Sequence, residues 1–126
     1  MYGRRARIGL IVPSSNTVCE PEMASLCPEG VVTYSTRILF EPTIRGLRDM
    51  KKGIKRASLE LSSEGICQII AFCCTVGSMI DGADYDRDII HLIEDQAKPP
   101  VITPTPAARA ALGVLPSRSS SRTRSK

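Results

Sequence analysis

The sequence predicts an α/β fold, a four-stranded parallel sheet with helices on both faces. Three observations carry this. Four short apolar, β-branched runs alternate with segments of helical period, in the order β-α-β-α-β-α-β-α. Such alternation implies parallel strands joined by right-handed crossovers. The third run, Ile66 to Phe72, is almost continuously apolar, as a strand covered on both faces must be. The length of 126 residues suits one domain able to bury a core without staples. That domain is expected over residues 1–116, because residues 117–126 read S-R-S-S-S-R-T-R-S-K. A segment with nothing to bury is expected to be a disordered basic tail.

Taken in order, Arg7 to Val12 (R-I-G-L-I-V) is a buried strand ended by Pro13. Thr17 with Glu20 three residues on forms a capping-box pattern, which predicts a helix start. Val31 to Ile38 alternates as a second strand. Ile44, Leu47, Met50, Ile54, Ala57 and Leu61 recur at spacings of three and four, so they mark one face of a long helix. Arg45, Arg48, Lys51, Lys52, Lys55 and Arg56 fill its other side. With Asp49 and Glu60 among them, they read as a solvated face. After the third strand, Tyr85, Ile89, Leu92, Ile93 and Ala97 mark another helix, stopped by Pro99 and Pro100. Val101 to Thr103 is the fourth strand. Thr105-Pro106 supplies a cap and a first-turn proline for a last helix, Ala107 to Leu112.

Composition narrows the function classes. Of seventeen basic residues, four lie in the last ten positions, leaving thirteen against thirteen acids. The body is neutral and offers no phosphate footprint, so nucleic acid is not an expected partner. No apolar run approaches the ~18 residues of a membrane span. The run after the basic start is too short for a signal-peptide core. No membrane is implied, and the chain reads as cytoplasmic. Five cysteines, with no C-x-x-C pair and His91 as the one histidine, fit neither a zinc site nor a disulfide framework. No metal is expected, and His91 reads as a surface residue.

Ligands of open α/β sheets bind at the carboxyl ends of the strands. Strand one delivers Ser14, Ser15, Asn16 and Thr17 there. Strand three delivers Cys73, Cys74, Thr75, Val76, Gly77 and Ser78, and strand four Thr103 and Thr105. No glycine-rich phosphate fingerprint is present, so no nucleotide cofactor is expected. Hydroxyls, one amide and backbone N–H groups suit a small carboxylate. A thiol facing loop amides can have its pKa lowered toward neutrality and act as a nucleophile. Cys74 is the candidate, followed as it is by Thr75, Gly77 and Ser78. Cys73 reads as the member of the pair that strand alternation turns into the core. Cys19, Cys27 and Cys67 are assigned to packing.

R-I-G-L-I-V-P-S-S-N-T, C-T-V-G-S and V-I-T-P-T-P-A-A-R-A-A-L, in this order, resemble the aspartate/glutamate racemase superfamily. The likeness runs from about Arg7 to Leu112 and is strongest to its maleate cis-trans isomerase branch, a neighbour of arylmalonate decarboxylase. It implies a flavodoxin-like half of a two-domain fold, with a cleft between the domains and no cofactor. It implies Cys74 as the cysteine that adds to the substrate double bond. It implies Asn16, with Ser14 and Ser15 in its loop, and the backbone at Thr75 and Val76 as the substrate-binding groups. A decarboxylase of the arylmalonate type would carry glycine where Cys74 stands.

The family continues from the A-A-L-G helix into another strand, whereas here the composition changes abruptly. The expectation is therefore a truncated N-terminal half, by a frameshift or a false C-terminus, inactive alone and a possible homo-oligomer. The leading reading is a small-dicarboxylate isomerase of the maleate type, with Cys74 as thiolate nucleophile. The alternatives are half of an amino-acid or hydantoin-type racemase, with Cys74 as one of two acid/base groups, and a non-catalytic α/β fragment.

Overall fold

The computed structural model describes residues 2–79 and 82–116. The basic tail of residues 117–126 lies outside the described residues. Four strands, β1 (Ala6–Pro13), β2 (Val31–Ile38), β3 (Ile69–Phe72) and β4 (Val101–Ile102), form one sheet in the order β2-β1-β3-β4. Every pairing is parallel, with Ile8 opposite both Thr33 and Ile69, and Ala71 opposite Ile102. The predicted four-stranded parallel α/β sheet is thus what the chain adopts.

The helices are α1 (Cys19–Leu26), α2 (Ile44–Ser62), α3 (Thr75–Met79), α4 (Ala83–Glu94) and α5 (Pro104–Val114). Strand alternation explains how they divide. Ile11, Ile38, Ile70, Phe72 and Cys74 point to one face and meet Leu47, Met50, Ile54, Ala57 and Leu61 of α2. Tyr85, Ile89 and Ile93 of α4 complete this core. The i, i+3/i+4 spacing read in the sequence is therefore the buried stripe of α2. Its basic residues lie outside and pair locally, Arg45 and Lys52 with Asp49, and Arg56 with Glu60. Leu10 and Val12 point to the opposite face and are also buried. There α1 and α5 bury none of their own residues. Val18, Leu26, Ile102 and Leu112 remain exposed. One sheet face thus carries a closed core, while the other is half open.

Several local expectations are corrected. Thr17 does not cap α1. The cap position is Val18, and the Asn16 side chain accepts the free N–H groups of Val18 and Cys19 at 3.0 and 2.9 Å. Glu20 reaches back to Ser35 and Arg37 of β2 instead of its own helix. The last helix starts three residues early, at Pro104, with Thr103 rather than Thr105 as N-cap. Strand β3 begins at Ile69 rather than Ile66, because a 3-10 turn at Ser63–Gly65 follows α2. Glu64 and Gly65 both adopt positive φ there.

The two faces should respond unequally to truncation. Ile54 is fully buried, so Ile54→Ala is expected to cost about 2–5 kcal/mol in urea denaturation. Leu26 is 77% exposed, and Leu26→Ala should stay within about 0.5 kcal/mol. Equal losses would mean that α1 packs as tightly as α2.

Candidate active site

Strands β1 and β3 are neighbours, yet the chain leaves them toward opposite faces. β1 runs into the loop before α1, and β3 into α3. The parting opens a cleft of about 390 Å³, lined by Ser15, Asn16, Cys73, Cys74, Thr75 and Val76, with Phe40 at its side. This is the switch point where open α/β sheets bind ligands.

The first wall is the loop Ser14 to Thr17. The loop is held from β2 by Arg37, whose guanidinium donates to the carbonyls of Ser14 (3.1 Å) and Asn16 (2.9 Å) and also binds Glu20. Ser14 turns away from the cleft. Its hydroxyl accepts the Phe40 N–H at 3.0 Å, and so fixes the segment that brings Phe40 to the side of the cleft. The Asn16 side-chain oxygen is committed to capping α1. What Asn16 retains for a ligand is its amide NH2.

The second wall is α3, a short helix the sequence reading did not anticipate. Cys74 precedes it and serves as its cap, for the Ser78 N–H bonds the Cys74 carbonyl at 3.0 Å. The Gly77 N–H donates to the Cys74 sulfur at 3.2 Å. The first-turn N–H groups of Thr75 and Val76 have no acceptor within the helix. The absence of a side chain at Gly77 leaves room for this contact. A Cβ there would lie 2.8 Å from Met50 Cε and 2.9 Å from Cys74 Sγ. The Ser78 hydroxyl donates to the Thr75 carbonyl (3.0 Å), so the Thr105 hydroxyl, 3.0 Å away, donates to Ser78 and ties α3 to α5. Beside it, Thr103 donates to the buried Asp86 at 2.9 Å.

Two expectations about the thiols change. Alternation turns Cys74, not Cys73, toward the main core. Cys74 is 6% exposed and Cys73 is half-buried. Burial pushes the Cys74 thiol up, and the Gly77 N–H offsets this only in part. The expected lowering toward neutrality is absent, because one N–H does not repay the loss of water. Cys73 is also raised, first by burial and then by contact with Cys19. Cys67, buried below the end of α2, is raised by burial as well. His91 is exposed and faces Glu94 on the surface of α4. Among the described residues, no group of three His, Cys, Asp or Glu side chains is placed to hold a metal ion. No described helix is long and apolar enough to cross a membrane.

Arg37 is a supporting residue that sequence reasoning missed, and Gly77 was named there without its contact with the thiol. The signal for Arg37 was a lone cation one residue before the end of a strand. For Gly77 it was a glycine three residues after a thiol.

No protein-family model matches the chain. Two curated proteins do. A maleate isomerase of Geobacillus stearothermophilus is 35% identical, over 63% of this chain and 35% of its own length. A maleate isomerase of Pseudomonas putida is 30% identical, over 86% of this chain and 48% of its own. Among solved structures, the maleate isomerase Iso of P. putida S16, as a variant crystallised with maleate, superposes with a TM-score of 0.71 at 28% identity. It matches 86% of this chain and 48% of its own. A Nocardia farcinica maleate cis-trans isomerase variant holding a covalent succinylcysteine intermediate gives 0.72 at 25%, with the same shares. A doubly substituted variant of arylmalonate decarboxylase, at 20% identity and a TM-score of 0.76, shares the fold. The resemblance to maleate isomerases read from the loops is borne out, and the chain spans at most about half the length of the relatives it matches.

The raised thiols carry a pH signature. A group whose pKa is higher in the folded state gives stability that is complete below its ordinary value, 9.0 for a thiol. That stability is lost as pH rises through the folded value. The urea midpoint is expected to fall as pH rises above about 9, and Cys73→Ala should flatten the fall. An identical fall in the variant would show that Cys73 is not desolvated as described.

Proposed function

We propose that this chain carries the cysteine half-site of a cofactor-independent isomerase acting on a small cis-dicarboxylate of the maleate type. One observation carries the reading. In a chain whose relatives are maleate isomerases, a thiol, a side-chain amide and two open helix N–H groups meet across one cleft at the sheet's switch point.

In this reading Cys74, once deprotonated, attacks one alkene carbon of maleate. A C–S bond forms, and the π electrons move onto the neighbouring carbon and its carboxylate. The former double bond is now single and rotates. The electrons return, the C–S bond breaks, and fumarate leaves with the thiolate restored. The substrate is a dianion, so the thiolate needs donors that neutralise the carboxylates. The Asn16 NH2 and the Thr75 and Val76 N–H groups are the candidates. Because burial holds Cys74 protonated, the attack depends on losing that proton. The succinylcysteine reported for the Nocardia enzyme variant corresponds to the adduct after its carbanion takes a proton.

A half-site has groups on one side of the substrate only. Positioning from both sides can account for ~7–11 kcal/mol of a barrier. The chain alone is therefore expected to show capture without turnover. Incubation with maleate at about pH 9, near the ordinary thiol pKa, should yield a succinyl adduct on Cys74 by mass spectrometry, with no fumarate above background by proton NMR. Cys74→Ser should lose the adduct, and Gly77→Ala should slow its formation at least ~10-fold, equivalent to ~1.4 kcal/mol of barrier. An adduct spread evenly over the five cysteines would overturn the assignment. Fumarate production abolished by Cys74→Ser would instead show a complete site, assembled from two copies.

A further inference from the structure

The reaction proposed above leaves four sulfurs without a role, and two of them share one groove. Cys19 opens α1, and Cys73 follows the last residue of β3, so they stand on segments leaving two hydrogen-bonded strands. Both are free and half-buried. Both line the groove of about 340 Å³ between α1 and α5 on the half-open sheet face. Cys19 is near enough to the Cys73 thiol to act on its charge and raise its pKa.

We propose that Cys19 and Cys73 form an oxidative modification site, a thiol pair that a peroxide-class oxidant converts to a disulfide tying the start of α1 to the end of β3. The backbone on each side is already fixed. The Cys19 N–H is held by Asn16 and the Cys73 N–H by the Ile11 carbonyl, both at 2.9 Å. Closing the bond therefore orders no further chain. The other cysteines are placed elsewhere. Cys27 ends α1, about 12 Å along the helix from Cys19. Cys67 sits against Gly9 and the end of α2, where a Cβ on Gly9 would lie 3.1 Å from its sulfur. The Cys74 sulfur is directed to the opposite face and engaged by the Gly77 N–H.

The chemistry balances with hydrogen peroxide as oxidant. In the order that begins at Cys19, its thiol meets the peroxide first. The peroxide O–O bond breaks, one oxygen joins Cys19 as a sulfenic acid, and the other leaves as water. The Cys73 sulfur then attacks the Cys19 sulfur. The S–S bond forms, the S–O bond breaks, and the Cys73 proton departs with the hydroxyl as a second water. Two thiols lose two electrons and one peroxide gains them. Asn16 caps the residue at one end of this bond, and Cys74 is the chain neighbour of the other. Oxidation therefore reaches both walls of the cleft at once.

The test treats the full chain with hydrogen peroxide, alkylates the remaining thiols with iodoacetamide, and digests without reductant. Fragmentation of the linked peptides assigns the bonded sulfurs. The expected result is one intramolecular Cys19–Cys73 bond with three alkylated cysteines, reversed by dithiothreitol. It should be lost in Cys19→Ser and in Cys73→Ser, and kept in Cys27→Ser. A bond between Cys73 and Cys74, a bond to Cys27, an intermolecular bond, or oxidation to sulfinic acid without any disulfide would each overturn the proposal. No dicarboxylate is present in the assay, so the result stands apart from the fate of the maleate reading.

Discussion

Everything at the candidate site depends on one constraint, that β1 and β3 are hydrogen-bonded neighbours whose chains must leave toward opposite faces. With Ile11 opposite Phe72, the two strands stay in register to the end of β3. Past that point α1 takes the backbone to one side, and α3 and α4 take it to the other. Backbone N–H groups that would have continued a ladder are left facing a gap. The Asn16 amide, the Cys74 thiol and the α3 amides are there because the sheet can no longer pair them. The Arg37 guanidinium is the device that keeps the gap from collapsing, since it fixes three groups of one wall from the adjacent strand.

The thiol at this gap is subject to two opposed demands. Packing against Met50 and Gly77 gives it a fixed position, and the same packing withholds the water that would stabilise its charge. Position is gained at the expense of ionisation. The opposition is physically reasonable where a bound ligand or a facing surface supplies further donors, because a desolvated sulfur has little solvent to shed when it attacks. It also explains why the chain's sulfurs are not equivalent. Cys74 has one N–H donor, Cys73 has a second thiol as neighbour, and Cys67 has the charge of Arg7 as its counterweight.

Most of the architecture was legible because it rests on periodicity. The α2 stripe from Leu47 to Leu61 and the unbroken apolar run of β3 are signals that tertiary context reinforces. The errors lie where single residues choose between equivalent local partners. Thr17, Val18 and Asn16 all stood near the start of α1. Asn16 won because its side chain reaches two N–H groups at once, which a pattern of hydroxyl and carboxylate three apart does not reveal. Thr103 displaced Thr105 for a related reason, since Pro104 fits a first helical turn as well as Pro106 does. The order of Cys73 and Cys74 turned on which strand residues face the main core, and Cys74 shares the parity of Ile70 and Phe72, which do. Strand β3 and the loops at its end were foreseen, and so was the meeting of Asn16 with Cys74 at one sheet edge. Helix α3, five residues long, is below the length at which any periodic signal accumulates.

The unequal faces of the sheet have a consequence for how the molecule breathes. Helices α2 and α4 share a closed core, so their amides should exchange with solvent only when the whole domain opens. Helix α1 buries no residue and is fastened by the Asn16 cap, the Glu20 contacts with β2 and shallow apolar contact. It belongs to the low end of the ladder of local unfolding energies. The loop that caps it forms one wall of the cleft, so any ligand that engages the Asn16 loop binds the ordered state of α1 and not the frayed one. By mass action, occupancy then raises the protection of a helix it barely touches. The affinity measured for such a ligand includes the free energy of keeping α1 wound.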